Sequence, residues 1–306
     1  MRISLPVVVS TVLVWASGYP AGALGVAAAP PLLLTATRFA LAALVMTLIA
    51  LAGRAVWPRG RQLAHVAVTG LLLQAIQFCG VYGGLHAGVP AAVSAPVIAL
   101  NPVLTAVLAA GLLRERIGRA RLAGLGLGVA AVISALGDRV AASGRVDAGT
   151  ALTVLGLVGF SAGGVYQQRF CQQVDIRSAT AVQFVVSAPV VAALALFEPG
   201  RVTNPAQAGA VVLWLVLINS AAGSALFLSA VRRSGAASAT TVFSLVPPVT
   251  AVISWPVLGQ VPSLGAVIGV ILGALACALG TRASSSARNA STSAIRPAVE
   301  KQRLRT

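Results

Sequence analysis

Apolar runs of about twenty residues recur along this chain with little interruption, and they decide what it can fold into. "LPVVVSTVLVWASGYPAGALGV" (5–26) is one, and "PLLLTATRFALAALVMTLIALA" (31–52) follows it directly. Each is long enough to cross a hydrocarbon layer of ~30 Å as a helix. Lipid cannot hydrogen-bond an exposed backbone, so a spanning segment must be a helix or a strand of a closed barrel. Barrel strands alternate apolar and polar residues, whereas these runs are continuous, which selects helices. The chain is 58% hydrophobic and only 9% charged, against about 25% charged in a soluble domain. The expected fold class is an all-α polytopic membrane protein, with the lipid bilayer as a partner.

Arg, Pro and Gly punctuation divides the runs into ten spans, at about 5–26, 31–52, 63–84, 89–113, 120–137, 149–168, 178–197, 208–231, 236–258 and 263–281. The first could pass for a signal peptide, but the nine that follow favour an uncleaved helix. Residues 282–306, "RASSSARNASTSAIRPAVEKQRLRT", are Ser-rich, basic and aperiodic, the pattern of a disordered tail. A net charge of +16 would suggest nucleic acid in a soluble protein. Here the charge sorts by side of the membrane instead, and no nucleic-acid partner is expected. With the N-terminus inside and the tail excluded, twelve basic residues lie in inside segments and three (Arg139, Arg145, Arg201) outside. That bias places both termini in the cytoplasm. Lys301 is the sole lysine, and with the abundance of alanine this suggests a GC-rich bacterial genome and hence a plasma membrane. Cys79, Cys171 and Cys277 are odd in number and far apart, so they read as small core residues.

Shifted by 145 residues, the chain aligns with itself without a gap. "LNPVLTAVLAAGLLRE" (100–115) falls on "LVPPVTAVISWPVLGQ" (245–260), pairing Pro102 with Pro247 and Thr105 with Thr250. Gly124 and Gly128 land on Gly269 and Gly273, Trp15 on Phe160, Gly18 on Gly163, Gln74 on Asn219 and Tyr82 on Phe227. The units are 1–145, carrying spans one to five, and 146–281, carrying spans six to ten. Five is odd, so the second unit enters the membrane inverted. An inverted repeat is a signature of secondary transporters, whose site lies near the midplane between the halves. The paired G-x-x-x-G sequences suit close helix packing. A dinucleotide loop in "GLGLG" (124–128) would need a preceding strand, and none is expected.

These features resemble the EamA-like family of the drug/metabolite transporter superfamily. The likeness rests on the two five-span repeats, "TRFALAAL" (37–44), "GVPAAVSAPVIALNPVLTAVLAAGLLRERI" (88–117) and "GAASATTVFSLVPPVTAVISWPVLGQ" (235–260). It implies a carrier of small metabolites, often amino acids or their derivatives, and commonly an exporter. In one respect the chain departs from the family pattern. Glu115 closes the first motif, but Gln260 stands where the second usually ends in Glu, which counts against a role that needs charge at both ends.

Polar groups at depth in a membrane are costly and are the first candidates for function. Arg38 costs about 2.5–3.5 kcal/mol at a helix centre on insertion scales. It has two readings, a cationic group for a substrate carboxylate or a structural arginine bonded to neighbouring helices. Its repeat partner is Gln183. Gln74, Phe78 and Tyr82 step by four along one helical face, with Gln77 adjoining. Those amides and Asn219 either bind substrate or join helices. Asn101 sits beside Pro102 and either satisfies the backbone freed there or faces substrate. Trp15, Phe160 and Phe243 are candidate cavity walls. Pro102 and Pro247, expected inside helices, are fixed bends or hinges.

No Asp or Glu lies within a span, which disfavours proton-coupled antiport of organic cations. His65 and His86 stand at helix ends, apart from any acid cluster, so neither a metal nor a cofactor is expected. The leading expectation is a transporter of a small polar molecule. A membrane-embedded enzyme would need an acid, base, nucleophile or metal at depth. A non-transporting scaffold or sensor would need a soluble domain or a structured tail. No sequence feature sets an oligomeric state.

Overall fold

The computed structural model describes residues 5–101, 147–226 and 245–261, with scattered positions between 103 and 134 and between 264 and 275. The described residues form helices and turns only. In chain order the helices are α1 (Leu5–Ala28), α2 (Pro31–Ala52), α3 (Arg61–His86), α4 (Ala91–Ile98), α5 (Ala148–Phe170), α6 (Ile176–Ala195), α7 (Pro205–Leu226) and α8 (Val246–Leu258). Six of them, α1, α2, α3, α5, α6 and α7, are long and apolar enough to cross a membrane, while α4 and α8 are shorter. Most of the expected spans at 120–137 and 263–281, and the whole of the tail, lie outside the described residues.

The ends of these helices follow from local chemistry. Prolines open α2 and α7, where the missing N–H costs nothing. Asp147, Asp175 and Asn204 each accept a backbone N–H at the start of α5, α6 and α7. The faces are sorted opposite to those of a soluble helix. In α2, Leu41, Leu44, Leu48 and Leu51 point outward, while Thr35, Arg38, Phe39, Ala42, Met46 and Ala50 point inward. Leucine suits lipid, and small residues let neighbouring backbones approach.

One irregularity recurs at the 145-residue offset. Both α3 and α7 contain a π-helical segment, Leu71–Ile76 in the first and Leu215–Ala222 in the second. Gln74 and Asn219, partners in the sequence alignment, occupy these segments. π turns carry an extra residue per turn and occur often at functional sites. A second irregularity interrupts the first of the two proline-bearing helices. α4 ends at Ile98 in a turn at Ala99 and Leu100, and the helix resumes at Asn101. At the matching place Leu245 is the N-cap of α8 and Pro247 stands in its first described turn, while 236–244 of the expected span lie outside the described residues. Pro102 lies outside the described residues.

α2 and α6, equivalent in the repeat, pack together along their lengths and run antiparallel. The Glu198 carboxylate, just past α6, accepts the Leu32 N–H at 2.9 Å and the Leu33 N–H at 3.1 Å at the start of α2. At the opposite end Arg177 Nη1 donates to the Gly53 carbonyl at 2.7 Å. Leu32 and Arg177 are 145 apart, as are Gly53 and Glu198, so this is one contact made twice with opposite chemistry. Midway, the rings of Phe39 and Phe184, also 145 apart, meet at 5.4 Å. A two-fold axis passes between them.

Candidate functional site

Arg38 is held inside the bundle at 4% exposure. Its Nη1 donates to the Tyr82 hydroxyl at 2.7 Å, and its guanidinium lies 4.1 Å from the centre of the Phe78 ring. Phe78 in turn meets Phe39 and Tyr82 edge-on at 5.9 and 5.7 Å. The i, i+4 spacing on α3 puts Phe78 and Tyr82 on one face, and α2 delivers Arg38 onto it. A buried cation–π contact contributes about 2 kcal/mol, and a hydrogen bond from a charged group about 1.5–3 kcal/mol. Together these offset the cost of inserting the arginine. They do not use its full donor capacity, since Arg38 Nε is buried and makes no hydrogen bond among the described residues. A planar cation with an open donor, set among aromatic rings, is suited to a carboxylate or a similar anion.

Tyr82 is itself fixed by α1. A Cβ on Gly22 would lie 2.7 Å from Tyr82 Cε1, so only glycine lets the ring seat there. One turn earlier on the same face, a Cβ on Gly18 would lie 2.8 Å from Asn219 Nδ2. That Nδ2 donates to the Val14 carbonyl at 2.6 Å, while Asn219 Oδ1 is buried without a hydrogen-bond partner among the described residues. The glycine face of α1 thus gathers Tyr82 from α3 and Asn219 from α7, and Tyr82 carries Arg38 from α2. The spacing of Gly18, Gly22 and Gly25 within the first apolar run is the signal that would have revealed this face.

Other expected residues lie elsewhere. Gln183 does not meet Arg38. It donates to Thr69 Oγ1 at 3.2 Å, about 20 Å along α3 from Tyr82 at 1.5 Å per residue. Gln77 is buried on the side of α3 that packs on α5, its carbonyl against Gly156. Gln74 Oε1, in the π segment of α3, is buried without a hydrogen-bond partner among the described residues. Asn101 accepts the Thr105 hydroxyl at 2.9 Å, one turn on. Trp15 is half-buried on α1 beside Gly223 of α7, and Phe160 is half-buried on α5. Phe243 and the glycines 124, 128, 269 and 273 lie outside the described residues. The glycine packing that the structure does show joins Gly80 and Gly84 of α3 to Gly149 and Gly156 of α5.

The chemistry at Gln260 accounts for its departure from Glu. Its Oε1 accepts the Ala91 N–H at 3.1 Å, at the start of α4. An amide oxygen serves this capping role as a carboxylate would. Among the described residues no group of His, Cys, Asp and Glu could hold a metal ion.

Comparison with known proteins matches the profile of the EamA-like transporter family to residues 2–137 and again to 147–282. A probable terminal-alkyne amino-acid exporter of Streptantibioticus cattleyicolor is 31% identical over 270 residues, covering 87% of this chain and 89% of the relative. The uncharacterized transporter YyaM of Bacillus subtilis is 28% identical over 250 residues, covering 78% and 80%. A solved crystal structure, 22% identical, shares the fold with a TM-score of 0.62 over 90% of this chain and 95% of its own.

Proposed function

The chain belongs to the EamA-like transporter family, and from that premise we propose that it is a secondary transporter exporting a small polar metabolite, such as an amino acid or a derivative. In this reading ten spans form two inverted five-helix repeats, 1–145 and 146–281, followed by the tail 282–306. The repeats exchange conformations about the axis through Phe39 and Phe184, opening one midplane site to each side in turn. Both termini lie in the cytoplasm of a bacterial cell, as the arginine distribution requires.

The observation that carries the substrate assignment is Arg38. Among the described residues this buried cation donates to one neutral hydroxyl, with Nε open. A buried charge is tolerated when paired, and a substrate carboxylate supplies the pair. The relative named as an amino-acid exporter fits a carboxylate-bearing cargo.

The test is flux in proteoliposomes loaded with a panel of amino acids, wild type against Arg38→Gln. Wild-type efflux of at least one amino acid, reduced tenfold or more in the variant, supports the reading. Undiminished flux in Arg38→Gln rules out the carboxylate role. Reporter fusions at each terminus test the orientation, and an active periplasmic reporter at either one refutes it.

A further inference from the structure

Asn219 offers the complement to Arg38. Its side chain is 7% exposed, and its amide is oriented by one strong contact, Nδ2 to the Val14 carbonyl at 2.6 Å. Only the NH2 end can donate to a carbonyl, so this contact fixes which end is oxygen. That oxygen has no hydrogen-bond donor among the described residues. The neighbouring Ser220 hydroxyl is likewise buried without a partner, at 5% exposure. Both belong to the π segment of α7, where the ladder is already widened. A buried acceptor left open costs about 1–3 kcal/mol, so a donor arriving from outside the chain gains by filling it.

Position matters as much as the open oxygen. The Asn219 amide rests on Gly18 and the Tyr82 ring on Gly22. These glycines are one turn apart, roughly 6 Å along α1. A carboxylate bound at Arg38 beside Tyr82 and an ammonium on the adjacent carbon reach across such a gap with hydrogen bonds of about 3 Å. No carboxylate lies within a span, so a cationic end of the cargo must be received by neutral oxygens. Building on the carboxylate reading of Arg38, we propose that Asn219 Oδ1, with Ser220 Oγ beside it, accepts the α-ammonium of the cargo. The site then selects zwitterionic α-amino acids over the same acids without the amino group.

The experiment is calorimetric binding to the purified full chain with two probe pairs. L-leucine is compared with 4-methylpentanoate, and L-propargylglycine, a terminal-alkyne amino acid, with 4-pentynoate. Wild type should bind at least one amino acid about tenfold or more tightly than its des-amino partner. Asn219→Leu should bring the two within about threefold by weakening the amino acid alone. Asn219→Asp, which keeps an acceptor but loses the donor to Val14, should retain the preference. Arg38→Gln should weaken both members of the pair. Preference unchanged in Asn219→Leu overturns the proposal, as does equal loss of both ligands in Asn219→Leu and Asn219→Asp, which would mark a structural amide. Absence of any preference in wild type, with both ligands still dependent on Arg38, overturns this proposal and leaves the carboxylate reading standing. Binding that is indifferent to Arg38→Gln, or no binding of either pair, overturns both.

Discussion

Arg38 is legible in the sequence as an intramembrane charge, but its neighbours are not. Its bond to Tyr82 depends on a glycine in another helix, and no spacing rule links position 22 to position 38. This gives a test that touches no polar atom. Gly22→Val would drive Cβ and the added methyl groups into the Tyr82 ring, already at 2.7 Å from an ideal Cβ. Overpacking of this kind costs about 1–3 kcal/mol, and the ring is too stiff to yield without moving its hydroxyl. We expect Gly22→Val to mimic Arg38→Gln, lowering efflux about tenfold while the protein still folds. Gly209→Ala is the control, because a Cβ there meets nothing within 4 Å. Its flux should match wild type, and equal losses in the two variants would disconnect Gly22 from Arg38. The sequence alignment also pairs Arg38 with Gln183 across the axis. In the structure each is bonded to a different end of α3. Equivalence in a repeat fixes where a residue starts, not which helix it reaches for.

At the scale of elements, the six long helices were readable to within a few residues, because apolar length and proline punctuation act locally. The π segments were not, because an added residue per turn leaves no mark in hydropathy. The helix break was half-readable, since the prolines announced a defect but not that the turn would fall at Ala99 and Leu100. The use of acids was also unseen. Among the described residues each carboxylate, Asp147, Asp175 and Glu198, sits at a helix N-terminus and accepts backbone N–H groups. The positive end of a helix in a low-dielectric setting is where a carboxylate does most. Glu198 differs from the two aspartates in capping a helix of the other repeat. Glu198→Ala should destabilise α2 by about 1 kcal/mol, read as a lower thermal midpoint in detergent. Glu198→Gln should recover most of that loss, as Gln260 performs the same task at Ala91. If alanine and glutamine behave alike, the capping account of Glu198 is wrong.

For the whole molecule, the contacts between α2 and α6 decide which bodies can move. The pair is joined at both ends, by Glu198 on Leu32 and Leu33 and by Arg177 on Gly53, and at its middle by Phe39 on Phe184. The Ser178 hydroxyl adds a bond to the Val56 carbonyl at 2.7 Å. Separating these helices would break all of these contacts at once, the polar ones at the two ends and the buried Phe39–Phe184 contact at the middle. In the proposed alternating-access cycle we expect α2 and α6 to stay together as a spine while the remaining helices move about it. The interruption after α4 and the π segments of α3 and α7 are where the backbone can bend at least cost. A direct check is a chain in which Cys79, Cys171 and Cys277 are replaced and cysteines are placed at positions 33 and 198, joined by a short bifunctional linker. Linked protein should transport at a rate within about twofold of the unlinked control. A second pair at positions 16 and 250, where the Thr250 hydroxyl meets the Ala16 carbonyl at 3.3 Å, ties α8 to α1 across the two repeats. Linking that pair should stop transport. Arrest by the first linker would show that α2 and α6 part during the cycle, and free transport under the second would show that α1 and α8 move as one.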